Sequence, residues 1–198
     1  MNFYQKFSLG KYSFSFRFTT NKVFSVQFLA TKKPDKVTYG MTSRCKDGKH
    51  VIFLDYDGLT KEEVFEEISF LQGYFELGNF YIFQNDSEES FHAICLDKFP
   101  LYEAIEIVSQ TSADRGFKKA PLYFKKRRWV LRVAKKGERN KPVYLDVIRS
   151  KFDELKESST AHRLFMNSNY NLKIPSKILE DCFDEDVEFC EYNTASKC

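Results

Sequence analysis

The sequence predicts an α+β fold: one compact domain whose mixed or antiparallel sheet is flanked by helices. Three observations point there. Period-two alternation fills the first forty residues, segments of helical period lie between short apolar runs, and aromatic residues reach 17%, with 21 Phe. At 198 residues the chain fits a single domain over 1–180, followed by an acidic, loose tail over 181–198.

Phe14, Phe16 and Phe18 alternate with Ser15 and Arg17, so a strand presents its rings on one face. Val23 to Ala30 is a second β-rich run, broken by Lys32-Lys33-Pro34-Asp35-Lys36. Val51-Ile52-Phe53-Leu54 is continuously apolar, as in a strand buried on both faces, and ends in Asp55-Tyr56-Asp57-Gly58. Thr60 and Glu63 form a capping box for a helix whose apolar positions are Val64, Phe65, Ile68, Leu71 and Tyr74. Phe80 to Phe83 and Ser90 to Leu96 are strands separated by the turn Asn85 to Glu89. Pro100 opens a second helix bearing Leu101, Ala104, Ile105 and Val108. Further on, Phe117 to Lys136 reads as β-rich and Val143 to Val147 as a strand. Ser150 to Arg163 and Ile174 to Cys182 read as helices.

No run approaches eighteen apolar residues, which excludes a membrane-spanning helix, and the first residues lack the apolar stretch of a signal peptide. A soluble, cytoplasmic protein with no membrane partner is expected, nucleoid-associated in a bacterium or archaeon. Cys45, Cys95, Cys182, Cys190 and Cys198 are odd in number, contain no CxxC pair, and read as reduced thiols. A zinc site from the last three with His162 lacks the usual ligand spacing. The net charge of +3 conceals a basic centre: Arg115 to Lys141 holds 12 of the 31 Lys+Arg against Glu138 alone, while Glu180 to Glu191 carries seven acids and no base.

Asp55-x-Asp57 at a strand end points two carboxylates into one volume. Their repulsion is relieved by a hard divalent cation, Mg2+ or Mn2+; the plainer alternative is a chain-reversing turn. Ser90-x-His92 also shares one strand face and suits a nucleotide phosphate, unless the histidine is simply packed. Lys125, Lys126, Arg127 and Arg128 precede Trp129, with Tyr123 and Phe124 nearby. Cations for phosphates beside rings for bases suggest nucleic acid, against a merely solvated charged surface.

Phe53-Leu54-Asp55-Tyr56-Asp57-Gly58 resembles the first motif of haloacid-dehalogenase-type phosphatases. That reading requires a later acidic pair, to be sought around Asp181 to Asp186. The ordered set Asp55-x-Asp57, Ser90-x-His92 and Ala113-Asp114, at intervals of about 35 and 22 residues, resembles the archaeo-eukaryotic primase superfamily, in particular primase-polymerase modules of plasmids and viruses. Arg128 to Gly137 resembles the basic strand and turn that follow the third motif. The resemblance covers roughly residues 50–140, and Glu88 and Glu89 stand where that family often has glycines.

The resemblance implies a primase-polymerase-like core joining nucleotides on a single-stranded DNA template. Asp55, Asp57 and Asp114 would hold two Mg2+ or Mn2+ ions, with Asp97 or Asp146 as substitutes for Asp114. Ser90, His92, Arg132 and Lys135 would contact the nucleoside triphosphate. Lys125, Lys126, Arg127, Arg128 and Trp129 would follow the template, and a separate helicase or replication protein would be a partner. The setting implied is replication of a mobile element or virus. The alternatives are a non-catalytic DNA-binding replication factor of the same fold and the phosphatase.

Overall fold

The computed structural model describes residues 2–9, 12–21, 23–32, 37–123, 127–176 and 189–193. Its elements are α+β, as the sequence predicts. Contacts divide the chain into two compact units, residues 1–37 with 192–198 and residues 38–191, where the sequence suggested one domain over 1–180. The physical basis of the first unit is its pairing. Strands β1 (Asn2–Leu9), β2 (Tyr12–Asn21) and β3 (Val23–Lys32) form an antiparallel meander ordered β1-β2-β3.

The second unit is built on an antiparallel sheet ordered β5-β7-β6-β9, made of His50–Asp57, Ser90–Phe99, Phe80–Gln84 and Val143–Ile148 respectively. A smaller sheet is ordered β10-β4-β8, from Phe189–Asn193, Val37–Thr42 and Val130–Arg132. Val51, Ile52, Phe53 and Leu54 of β5 are all fully buried, so both faces of that strand are covered. Helix α1 (Lys61–Phe75) contributes Val64, Ile68 and Leu71 to the core, and α2 (Leu101–Ser109) contributes Ala104, Ile107 and Val108. The Thr60–Glu63 capping box is formed in both directions, at 3.3 Å from Glu63 N–H to Thr60 Oγ1 and 2.8 Å from Thr60 N–H to Glu63 Oε2.

Tyr74, expected on the apolar stripe of α1, is instead exposed and stacks on exposed Phe70 at 6.0 Å. The basic region also departs from expectation. Arg115–Tyr123 is helix α3, not strand, and β8 covers only Val130–Arg132. The reason is local: Asp114 Oδ1 accepts the Phe117 N–H at 2.7 Å and the Asp114 carbonyl accepts the Lys118 N–H at 2.9 Å, which nucleates a helical turn. The helix expected over 150–163 starts only at α4 (Thr160–Tyr170), where the Ser159 side chain accepts the His162 N–H. Residues 174–176 are not helical, and 177–182 lie outside the described residues. Within the tail expected to be loose, Phe189–Asn193 is strand β10 beside β4. The side chains of Cys45 and Cys95 are buried; those of the other cysteines lie outside the described residues.

Candidate functional site

Strand β5 continues through both acids of the first motif, so Asp55 and Asp57 project from one face. It then turns at Gly58, whose φ of 79° is costly for any residue with a Cβ. The Gly58 N–H donates to the Glu89 carbonyl at 2.7 Å, tying the strand end to the β6–β7 turn.

The antiparallel register sets the first two motifs against each other residue by residue. Asp55 faces His92 and Asp57 faces Ser90. Asp55 Oδ1 lies 3.3 Å from His92 Nε2, and the Ser90 hydroxyl donates to Asp57 Oδ1 at 2.6 Å. The environments differ along the strand. His92 is nearly buried, Asp55 partly open and Asp57 exposed, so the site opens toward the strand end.

A relay of side chains extends the site to a different sheet. Asn85 Nδ2 donates to Ser90 Oγ at 3.0 Å, and Asn85 Oδ1 accepts from Arg132 Nη2 of β8 at 3.4 Å. The same guanidinium lies 3.4 Å from Asp86 Oδ2 and also donates to the Asn140 carbonyl. Asp86 Oδ1 in turn accepts the Asn140 N–H at 2.5 Å, which fixes the turn following β8. Asn85 and Asp86 read in the sequence only as turn residues, yet they join the Ser90 motif to Arg132.

The third motif also arrives at this strand end, by its backbone. The Asp114 N–H donates to the Asp55 carbonyl at 2.7 Å. Glu67 of α1 holds the approach to it, accepting the Ser112 N–H at 2.9 and 3.0 Å and the Tyr56 hydroxyl at 2.8 Å. Burial, with the Glu67 carboxylate beside it, pushes the Tyr56 phenol well above its usual range. Glu67 was not singled out in the sequence, where it reads as one of several acids on the helix surface.

The proposed substitutes for Asp114 are placed elsewhere. Asp97 is fully buried, and its Oδ2 accepts the Gly78 N–H at 2.6 Å. A Cβ at Gly78 would stand 2.9 Å from that carboxylate, so the two residues form a structural pair. Asp146 lies 3.8 Å from Lys61. Asp55 and Asp57 offer the hard oxygen donors that Mg2+ or Mn2+ prefers, and in donor chemistry they fit such an ion. The third expected carboxylate, Asp114, reaches this strand end through its backbone N–H. The Asp114 carboxylate caps α3, and among the described residues no three His, Cys, Asp or Glu side chains gather as a metal-holding group.

The expected nucleic-acid residues separate. Trp129 is fully buried, its ring edge-on to His50 at 6.2 Å and its backbone N–H bonded to Ser43 Oγ at 3.1 Å. Its indole is therefore core and presents no face on which a base could stack. Arg127 is exposed, with φ of 49°, and Arg128 is half-buried. Lys125 and Lys126 lie outside the described residues. Lys135 is exposed beyond β8. His162 is 1% exposed and bonded to Ser159 and to the Thr42 carbonyl, a packed core histidine. Among the described residues no helix is long and apolar enough to cross a membrane.

No family model, curated protein or solved structure matches this chain.

Proposed function

We propose that the chain is a template-dependent nucleotidyltransferase of the primase-polymerase kind, using divalent metal ions and nucleoside triphosphates on single-stranded DNA. The observation that carries this reading is the register placing Asp55 against His92 and Asp57 against Ser90, with Asp114 arriving at the Asp55 backbone. Three motifs far apart in sequence, chosen for their chemistry, meet at one strand end.

In this reading Asp55 and Asp57 would hold Mg2+ or Mn2+, which would supply Lewis-acid stabilisation of the charge that develops in phosphoryl transfer. The chain's own residues prepare that site. His92, nearly buried, orients Asp55 through its Nε2, and Ser90 fixes one oxygen of the exposed Asp57. Arg132 is held beside the Ser90 motif by Asn85 and by the Asp86 carboxylate, which a triphosphate would displace to take the guanidinium. His92 is thus a positioning residue as much as a phosphate contact. The exposed Arg127 and Lys135 supply cations for the template backbone.

The test is to incubate the full chain with a single-stranded template, with and without primer, labelled nucleotides and Mn2+ or Mg2+. Template-dependent products are expected, and their loss in Asp55→Asn and Asp57→Asn. Absence of product with every template, despite retained DNA binding, would replace this reading by its rival.

That rival is the non-catalytic DNA-binding replication factor, and one observation favours it: one oxygen of the Asp114 carboxylate is already engaged in capping α3. The acidic pair that the phosphatase reading needs, around 181–186, lies outside the described residues. Phosphate release from a simple phosphoester would bring that reading forward.

A further inference from the structure

The N-terminal sheet carries a feature that the polymerase reading leaves unused. By register, Phe7 pairs with Phe14, and Phe16 pairs with both Gln5 and Phe28. Cross-strand partners, and every second residue within each strand, share one face, so Phe7, Leu9, Phe14, Phe16, Val26 and Phe28 form a continuous apolar surface. The rings lie close and nearly parallel. Phe7 and Phe14 are 5.2 Å apart at 19°, and Phe14 and Phe28 are 6.1 Å apart at 29°. Phe7 is 52% exposed and Phe28 62%, and Leu9 and Val26 at the margins are exposed too. Scattered exposed apolar residues are ordinary, but a stacked row of half-exposed rings on one sheet face is not.

The charge of the same segment is one-sided. Lys6, Lys11, Arg17, Lys22, Lys32 and Lys33 are all basic, and no Asp or Glu precedes Asp35; by register Lys32 falls on the aromatic face and Lys6 and Arg17 on the opposite one. We propose that this aromatic sheet face is a stacking platform for single-stranded nucleic acid, its bases lying on Phe7 and Phe28 and its phosphates drawn by the acid-free cationic segment. Rings in a row accept any base, since every base has a π-face, and the segment's net positive charge attracts the backbone. A second copy of the chain fits less well, because two such segments carry the same net positive charge, with no acid before Asp35 in either. An anionic membrane fits less well too, since interfacial anchors sink an amphipathic helix into the lipid boundary and this face is a flat sheet. The proposal stands apart from the catalytic reading, because binding here requires neither metal nor nucleotide.

Fluorescence anisotropy of the full chain with a labelled oligothymidine and with an abasic strand of equal length tests it. The unaltered protein should prefer the base-bearing strand. Phe7→Ala with Phe28→Ala should weaken that strand at least about 5-fold per ring, so about 25-fold together, and leave the abasic strand and the salt slope unchanged. Phe7→Tyr with Phe28→Tyr, which keeps both rings, should bind within about twofold of the original by the same stacking argument. Thermal melting checks that the variants fold. If the alanine pair does not fold, the two-strand comparison on the unaltered protein decides, and equal affinity overturns the proposal. It is also overturned if the oligothymidine does not bind, or if the alanine pair weakens both strands equally. Loss of phosphatidylserine-vesicle binding, or of a concentration-dependent dimer, in the alanine pair without loss of oligothymidine binding would assign the face to lipid or to a second copy.

Discussion

Lowering the pH should destabilise this protein well before its carboxylates titrate, because two histidines are buried in the neutral form. His162 Nε2 lies 2.7 Å from the Thr42 carbonyl, which can only accept, so that nitrogen carries the proton. Nδ1 then accepts from the Ser159 hydroxyl at 2.6 Å. Burial depresses its pKa to about 4, helped by the charges of His50 and Lys98 and opposed by the Thr42 bond. His50 is 2% exposed with Nδ1 3.0 Å from Ser43 Oγ, and burial with nearby Arg44 takes it to about 4 against the opposing pull of Asp47. Both folded values lie below the unfolded 6.5, so the unfolded chain binds more protons between those limits. The stabilisation is therefore complete above pH 6.5 and is lost as pH falls toward 4. From pH 7 to pH 5 each histidine forfeits roughly 1.5 pH units at about 1.4 kcal/mol per unit, or about 4 kcal/mol for the pair. That is a large share of a typical stability of about 5–15 kcal/mol. Burial pushes Asp47 and Glu157 up, but the Lys49 backbone N–H and the Lys98 ammonium on Asp47, and the Lys49 and Lys98 ammoniums on Glu157, hold both below the ordinary carboxylate range, so they add a loss of the same sign only at lower pH. Urea unfolding at constant ionic strength from pH 7 to pH 5 measures the effect. His162→Gln, whose amide can serve both Thr42 and Ser159, should remove about half of the slope. A stability flat over that range, or a slope unchanged in His162→Gln, would refute the neutral-histidine account.

Trp129→Ala should cost about 3–5 kcal/mol of stability by emptying a fully buried site, measured by urea unfolding, while the folded fraction binds single-stranded DNA as before. Weaker DNA binding at unchanged stability would return Trp129 to the interface. Ser90→Ala and Arg132→Met should be energetically coupled in nucleotide affinity by about 0.5 kcal/mol or more, because Asn85 bridges them. In an Asn85→Ala background the coupling should vanish. Additive effects with Asn85 intact would show that the bridge transmits nothing.

Local pattern alone determined much of this protein. The capping box at Thr60, the doubly buried run from Val51 to Leu54 and the period-two face shared by Asp55 and Asp57 depend on residues a few positions apart, and each is present. Parity within a strand also put Ser90 and His92 on one face. What it could not supply was the partner strand's register, which sets Asp55 on His92 and Asp57 on Ser90 across more than thirty residues of chain. Burial was equally out of reach. A tryptophan after four cations reads as a binding ring, and only packing against His50 and Ser43 makes it core. Nor does the sequence show that Asp114 Oδ1 accepts the Phe117 N–H and caps α3, so that a basic segment read as strand begins as helix. Lys98 looks like an ordinary strand cation until the fold buries it between Asp47 and Glu157, at 3.0 and 2.5 Å. The difference has one physical source. Periodicity and capping are short-range properties of the chain, whereas register, desolvation and the choice among a carboxylate's possible partners are decided by groups distant in sequence that meet only when the core closes.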